Sequence, residues 1–452
     1  MTHSSENGSP GRSMARAGKR EVIAVVAGNA LEFYDFTVYA LFAVYIGKAF
    51  FPAFSPSSQV IASVAVFGVG FIARPLGGLL IGAYADRAGR KAALTLSLAL
   101  MTIGTALMVF TPGYAAIGVA APALVVIGRL LQGFSAGGEI GPATTFLLET
   151  ASSGKRGFYT SWQLATQGVA ALLGGLVGHL ASSLLPTESM EQWGWRIPFV
   201  VGLLIAPVGL YIRRHLHETL EEGARSQSLA DIGSTIARHH LADLALACTV
   251  LIGPTITVYI VGNYMATYGM RVLHLPAPTA MLVGLINGFV GIVVSLAAGL
   301  LYDRAPGHRL MLLPQLLTVA AVLPLFSWVT GSGTTLAFLS MVAVLSVLRV
   351  AMAPFQLCFL PEIFPKQVRS TCLSICFSLP TTVFGGSAQV VVAWLMSING
   401  NPAVPAWYLF IANLISLIGV AALYVRNRKA VEGSVAISLP PRNGHGNAAH
   451  TT

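Results

Sequence analysis

GLLIGAYADRAGRK, Gly78 to Lys91, returns in weakened form as AAGLLYDRAPGHR, Ala297 to Arg309. Asp86 and Asp303 lie 217 residues apart, and Gly89 and Gly307 lie 218 apart. LLETASSGKRG (Leu147 to Gly157) and LPEIFPKQVRS (Leu360 to Ser370) echo each other in the same way. They match Glu149 with Glu362 and Arg156 with Arg369 at an offset of 213. Four landmarks at nearly one offset predict a duplicated chain. Duplicated membrane bundles hold a substrate near the midplane between their halves and expose it to each side in turn.

The composition supports a membrane setting. Of 452 residues, 55% are hydrophobic and 10% charged, with a mean hydropathy of +0.72; a soluble domain carries roughly a quarter charged residues. Apolar segments fall at about 22–46, 59–84, 92–111, 115–148, 157–183, 197–213, 241–268, 279–302, 310–330, 335–360, 370–397 and 405–425. Most reach the ~20 residues a helix needs to span hydrocarbon. The predicted fold class is therefore an all-α membrane protein of twelve transmembrane helices in two pseudo-symmetric six-helix bundles. Its parts are a disordered cytoplasmic tail (1–20), an N-terminal bundle (21–213), a cytoplasmic linker (214–240), a C-terminal bundle (241–428) and a second disordered tail (429–452).

Basic residues set the orientation. Arg12, Arg16, Lys19 and Arg20 share a side with Arg87, Arg90, Lys91, Lys155 and Arg156, and the later loops on that side bring the total to twenty. The opposite loops hold only Lys48 and Arg271, with Arg196 at a helix start. Both termini are expected in the cytoplasm. The net charge of +10 is spread between apolar segments, which argues against a nucleic-acid partner. Cys248, Cys358, Cys372 and Cys376 lie in apolar stretches without zinc-ligand spacing. No metal or cofactor is expected, and neither a phosphate-binding loop nor a nucleophile elbow marks an enzyme.

Glu32 and Asp35 interrupt the first apolar run, where a carboxylate costs several kcal/mol unless it is protonated, paired or facing water. With Tyr39 they are spaced three and four apart and share one helix face, and Asn29 extends that face. Two readings stay open. A proton-coupled carrier needs a carboxylate that a proton can neutralise from one side and leave on the other; alternatively, one of the pair is held permanently by Arg74 or Arg129. Arg129 and Arg349 occupy corresponding helices, four and ten, and guanidinium offers a bidentate fork to a carboxylate. Tyr39, Gln163, Gln167, Asn263, Asn287 and Gln356 are further candidates for substrate contact, each with the alternative of joining helices. Tyr259 and Gln389 belong with these uncharged polar residues, and His179 is expected near the outer end of helix five, satisfied by water.

GAYADRAGRK (Gly82 to Lys91) and RLLQG (Arg129 to Gly133) resemble motifs of the major facilitator superfamily. RPLGG (Arg74 to Gly78), LLQGFSAGGE (Leu130 to Glu139), KRGFYTSWQ (Lys155 to Gln163) and WGWRIPF (Trp193 to Phe199) narrow the resemblance to its metabolite:proton symporter family. That resemblance implies the major facilitator fold and proton-coupled uptake of an organic acid, a di- or tricarboxylate such as citrate, by alternating access. A zwitterion such as proline or betaine, a non-transporting transceptor and a drug exporter are the rival readings. It assigns proton coupling to Glu32 and Asp35. It also implies a cytoplasmic gate built from Gly82, Asp86, Arg87, Gly89, Arg90, Asp303, Glu149, Arg156, Glu362 and Arg369. The expected partners are the organic acid, protons and the bilayer, with a monomer working in a plasma membrane, the bacterial inner membrane.

Overall fold

The computed structural model describes residues 30, 32–88, 90–137, 151, 154–214, 238, 240–304, 309–365 and 369–438. A helix occupies each of the twelve predicted spans, as hydrocarbon demands of a chain that must satisfy its own backbone. α1 is described at residues 30 and 32–50, ending in Ala43–Phe50. α2 is Pro56–Ala88, α3 Arg90–Phe110, α4 Ala120–Gly137, α5 Arg156–Leu184 and α6 Ile197–Arg214. In the second half α7 begins as Leu241–Thr257, widens to a π-helical segment at Val258–Tyr264 and resumes as Met265–Arg271. α8 is Ala277–Arg304, α9 Arg309–Ser332 and α10 Thr335–Phe359. α11 runs Arg369–Pro380, widens at Thr381–Gly385 and continues as Gly386–Asn399, and α12 is Val404–Ser438. Nine of the described helices are long and apolar enough to cross a membrane, and two shorter apolar helices are Thr95–Phe110 and Gly194–Leu204.

Two boundaries differ from the sequence reading. The fourth span starts at Ala120, because Gly118 at φ 58° ends a separate short helix, Tyr114–Ile117. Only glycine takes that backbone cheaply. α12 continues past residue 428 as far as Ser438, through a stretch with no proline before Pro440. The tail 1–20 and residues 439–452 lie outside the described residues, as does nearly all of the linker.

Both π-helical widenings follow a proline inside the helix, Pro254 in α7 and Pro380 in α11. A proline removes one rung of the hydrogen-bond ladder and loosens the local winding. Single wide turns of this sort concentrate at functional positions.

Two helix pairs form the main seams between the halves among the described residues, α5 along α8 and α2 along α11, and α10 adds a smaller contact with α5. In the duplicated order α2 corresponds to α8 and α5 to α11, so the two seams are images of one another. Small residues let the backbones meet. A methyl group added at Gly284 of α8 would stand 2.7 Å from the Cα of Gly175 on α5. Large apolar side chains such as Ile72, Leu204, Phe289 and Leu336 point outward, as a lipid-facing surface requires.

The α5–α8 seam predicts the cost of filling it. Gly284→Val should destabilise the detergent-solubilised protein by about 1–3 kcal/mol through overpacking, read as a melting temperature lower by several degrees. An unchanged melting temperature would contradict this packing.

Candidate functional site

The two carboxylates of α1 part company in the fold. Glu32 faces Arg74 of α2, with Oε1 to Nη2 at 3.9 Å. Asp35 turns toward α3 and α4: its Oδ2 accepts from the Thr105 hydroxyl and from Gln132 Nε2, the latter at 3.0 Å. Arg129 Nη1 donates to Gln132 Oε1 at 2.6 Å. The Gln132 amide therefore bridges a guanidinium and a carboxylate. Relative exposures are 2% for Glu32, 3% for Asp35, 3% for Arg74 and 0% for Arg129. The cluster is sealed from solvent on all sides.

Aromatic rings line the cations. Phe36, next after Asp35 in sequence, has the Arg74 Cζ 4.7 Å and the Arg129 Cζ 4.6 Å from its ring centroid. Phe71 lies 4.2 Å from Arg74, and Tyr39 and Phe67 lie 4.6 and 5.1 Å from Arg129. A desolvated cation over a ring face gains up to ~2 kcal/mol, so the rings carry part of what water would supply. The Tyr39 hydroxyl donates to the Ser63 carbonyl at 3.1 Å. Among the described residues nothing hydrogen-bonds Asp35 Oδ1, Arg74 Nε or Arg129 Nε and Nη2. Polar capacity is thus concentrated around Asp35 and the two arginines, beyond what the protein itself uses.

The structure distributes the remaining candidates unevenly. Arg349 is half-buried on α10, and its Nε has no hydrogen-bond partner among the described residues. Gln356, on the same helix, likewise has an unpartnered Nε2. Gln163 is buried on α5, while Gln167 and Asn263 are half-buried. Asn287 is committed to the protein: its Nδ2 donates to the Val283 and Val261 carbonyls at 2.8 and 3.3 Å, and its Oδ1 accepts from Ser346 at 2.6 Å. It ties α8 to the wide turn of α7 and to α10. His179 Nδ1 meets the Pro278 carbonyl at 2.8 Å, across the α5–α8 seam, where the sequence reading expected water.

At one end of the bundles Asp303, closing α8, receives the first backbone amides of α5. Its two oxygens accept from Gly157 N at 2.7 Å and Phe158 N at 2.9 Å. A carboxylate there satisfies orphan N–H groups and meets the positive end of the helix dipole. Arg156 beside it is exposed. Gly89 and Glu149 lie outside the described residues, as do the side chains at Gly82, Asp86, Arg87, Arg90, Glu362 and Arg369. At the opposite end Lys48 of α1 pairs with Glu191 of the helix Thr187–Gln192.

Sequence reasoning missed Thr105 and Gln132, which hold Asp35. Gln132 stood inside the quoted LLQGF motif, and a glutamine one turn from an arginine was the available signal. Thr105 carried none, being one hydroxyl in an apolar helix.

A sequence profile of the Major Facilitator Superfamily matches residues 25–379. A citrate-proton symporter of Salmonella typhi is 37% identical over 412 residues, 90% of this chain and 94% of the relative. A proline/betaine transporter of Salmonella typhimurium is 32% identical, covering 91% of this chain and 84% of its own length. An alpha-ketoglutarate permease of Escherichia coli is 30% identical, covering 88% and 93%. Among solved structures, a D-xylose-proton symporter superposes with a TM-score of 0.71 at 17% identity over 89% of this chain and 96% of that one. That likeness concerns the fold alone.

Asp303 yields a test of the α5–α8 contact. Asp303→Asn keeps one acceptor oxygen for two amides and loses the charge, so about 1 kcal/mol of the contact disappears. Water-soluble thiol reagents applied from the side that Asp303 lies on should then label a cysteine placed at Ser161 several times faster than in wild type. Equal labelling rates would remove Asp303 from the closure.

Proposed function

Because the chain belongs to the major facilitator superfamily, and is a multi-pass secondary transporter, we propose that it carries an organic di- or tricarboxylate such as citrate inward together with protons. The observation that supports this reading is the sealed cluster of two carboxylates and two guanidiniums, in which Asp35 Oδ1, Arg74 Nε and Arg129 Nε and Nη2 have no hydrogen-bond partner among the described residues.

With Glu32 and Asp35 ionised, they balance Arg74 and Arg129, and a polyanionic ligand finds no spare positive charge. A proton on either carboxyl releases one guanidinium. A ligand carboxylate can then take the bidentate place. Proton and substrate thus favour each other's binding, and the coupling is reciprocal by linkage. Arg349, on α10 of the second bundle, would supply a further cation to the same ligand, with Gln163, Gln167, Asn263 and Gln356 as uncharged contacts. Occupancy lets the halves rock about the α5–α8 and α2–α11 seams. Release on the cytoplasmic side requires Asp303 to leave the α5 amides, as Asp86 would leave its own partner in the first half.

Proton coupling also fits a zwitterion, and the 32% identical proline/betaine transporter gives that alternative its weight. A zwitterion brings its own cation and has less use for Arg349. We place the carrier in a bacterial inner membrane, a monomer with both termini cytoplasmic, as the loop charges favour.

In vesicles given an outward-alkaline or outward-acid gradient, wild type should accumulate labelled citrate only with acid outside, and an ionophore should abolish it. Asp35→Asn and Glu32→Gln, singly or together, should cut gradient-driven accumulation by about tenfold or more, the scale of a charged hydrogen-bond partner. Arg349→Ala should abolish citrate uptake while sparing any betaine uptake. Full accumulation by both acid variants would dismiss the coupling role.

A further inference from the structure

We propose that Ser416 and Asn413 of α12 are positioning residues: by bonding into the ladder of α7 they fix the bend that presents Asn263 to the transported ligand. The role toward the ligand rests on the carrier reading above; the bend does not.

The ladder of α7 is disturbed at a defined place. Gly253 N and the Thr249 carbonyl are the two groups that one α-helical rung joins. The Ser416 hydroxyl bonds to both, accepting from Gly253 N at 2.7 Å and donating to the Thr249 carbonyl at 3.1 Å. The next rung is missing, because Pro254 has no N–H to offer the Val250 carbonyl. The wide turn Val258–Tyr264 begins one turn later. A proline by itself loosens the winding. A hydroxyl from a neighbouring helix also sets how far the helix bends, since it must stay within reach of both groups.

The backbones of α7 and α12 meet at this point. A methyl group added at Gly253 would come 2.8 Å from the Ala412 carbonyl oxygen and 2.9 Å from Ser416 Oγ. One turn on, Thr257 makes a second connection. Its hydroxyl accepts from Asn413 Nδ2 at 2.9 Å and donates to the Gly253 carbonyl at 2.7 Å. Asn413 is held in turn by Gln315 of α9, whose Nε2 donates to the Asn413 carbonyl at 2.8 Å and to its Oδ1 at 3.2 Å. Gln315, Thr257, Asn413 and Ser416 are all buried. Each member of such a dry polar chain is held to its geometry by the cost of leaving its neighbour unpaired.

Beyond the bend the wide turn is held again. Asn287 of α8 donates to the Val261 and Gly262 carbonyls at 3.3 and 3.5 Å. The Tyr259 ring stands edge-on to Phe71 of the first bundle at 5.1 Å. Asn263 follows directly and is half-buried. The segment that carries it is therefore fixed before the turn by α12 and within the turn by α8. Serine, threonine, asparagine and glutamine make up the whole chain of contacts from α9 to α7, so its hold on Asn263 is indifferent to the proton. α12 thereby shapes a site whose proposed ligand contacts all lie on other helices.

Ser416→Thr keeps the hydroxyl, whereas Ser416→Val has the same size and lacks it. In purified protein without substrate, hydrogen–deuterium exchange of Val258–Tyr264 should quicken about three- to tenfold in Ser416→Val, the loss of roughly one net hydrogen bond. It should stay near wild type in Ser416→Thr. Thr257→Val and Thr257→Ser should repeat the contrast from the α7 side, which covers a Ser416 variant that does not fold. In proteoliposomes the two valine variants should raise the citrate concentration for half-maximal uptake about three- to tenfold, with the maximal rate within about twofold of wild type. Equal behaviour of the valine and hydroxyl variants would overturn the proposal. So would faster exchange spread over the whole second bundle, or a half-maximal concentration that does not move. If wild type takes up no citrate, the carrier reading falls, and the exchange contrast, which uses no substrate, decides the bend alone.

Discussion

Charge that neither water nor a headgroup can reach must be balanced by the protein, and that constraint organises the first bundle. At 3.9 Å two unit charges attract by about 4 kcal/mol in an effective dielectric of ~20. Stripping water from each ion costs several kcal/mol, so the Glu32–Arg74 pair by itself comes close to cancelling. Aromatic faces around both guanidiniums and the Gln132 bridge to Asp35 supply the remainder. A cluster so near balance answers to the addition or loss of one proton, where a strongly stabilised ion pair would not. Proton sensitivity is the natural property of such a site.

Its position turns that sensitivity into movement. The cluster sits in α1, α2, α3 and α4, yet α2 also forms one of the two seams with the second bundle. At one end Asp303 holds the first amides of α5; at the other, Lys48 and Glu191 fasten α1 to the short helix before α6. On the proposed coupling, a proton would reach Glu32 or Asp35 of this buried cluster only when the seams open. Access and chemistry are thereby tied to one motion, which is what alternating exposure of a single site requires.

Much of this was legible in the chain. The offset of Asp86 and Asp303 announced two matched halves, and the structure places twelve helices where the apolar runs stand. The spacing of Glu32 and Asp35 put both on one side of α1, but could not tell that they serve different arginines. Partner choice depends on how α2, α3 and α4 rotate around α1, and glycine-mediated packing sets that rotation without a charged signature. Asn287 illustrates the converse: a polar residue mid-helix reads as a ligand contact until its donors are seen satisfied by Val283 and Val261. The wide turns at Val258–Tyr264 and Thr381–Gly385 were signalled only by the prolines before them.

The direct test of the central claim is to follow protons and substrate in one experiment. Wild-type protein in proteoliposomes, in a weakly buffered medium with no imposed gradient, is given unlabelled citrate while external pH is recorded. Entry of citrate with protons predicts prompt alkalinisation of the medium that scales with the citrate taken up and vanishes when an ionophore clamps the gradient. Citrate entry with no accompanying change in external pH would contradict the account.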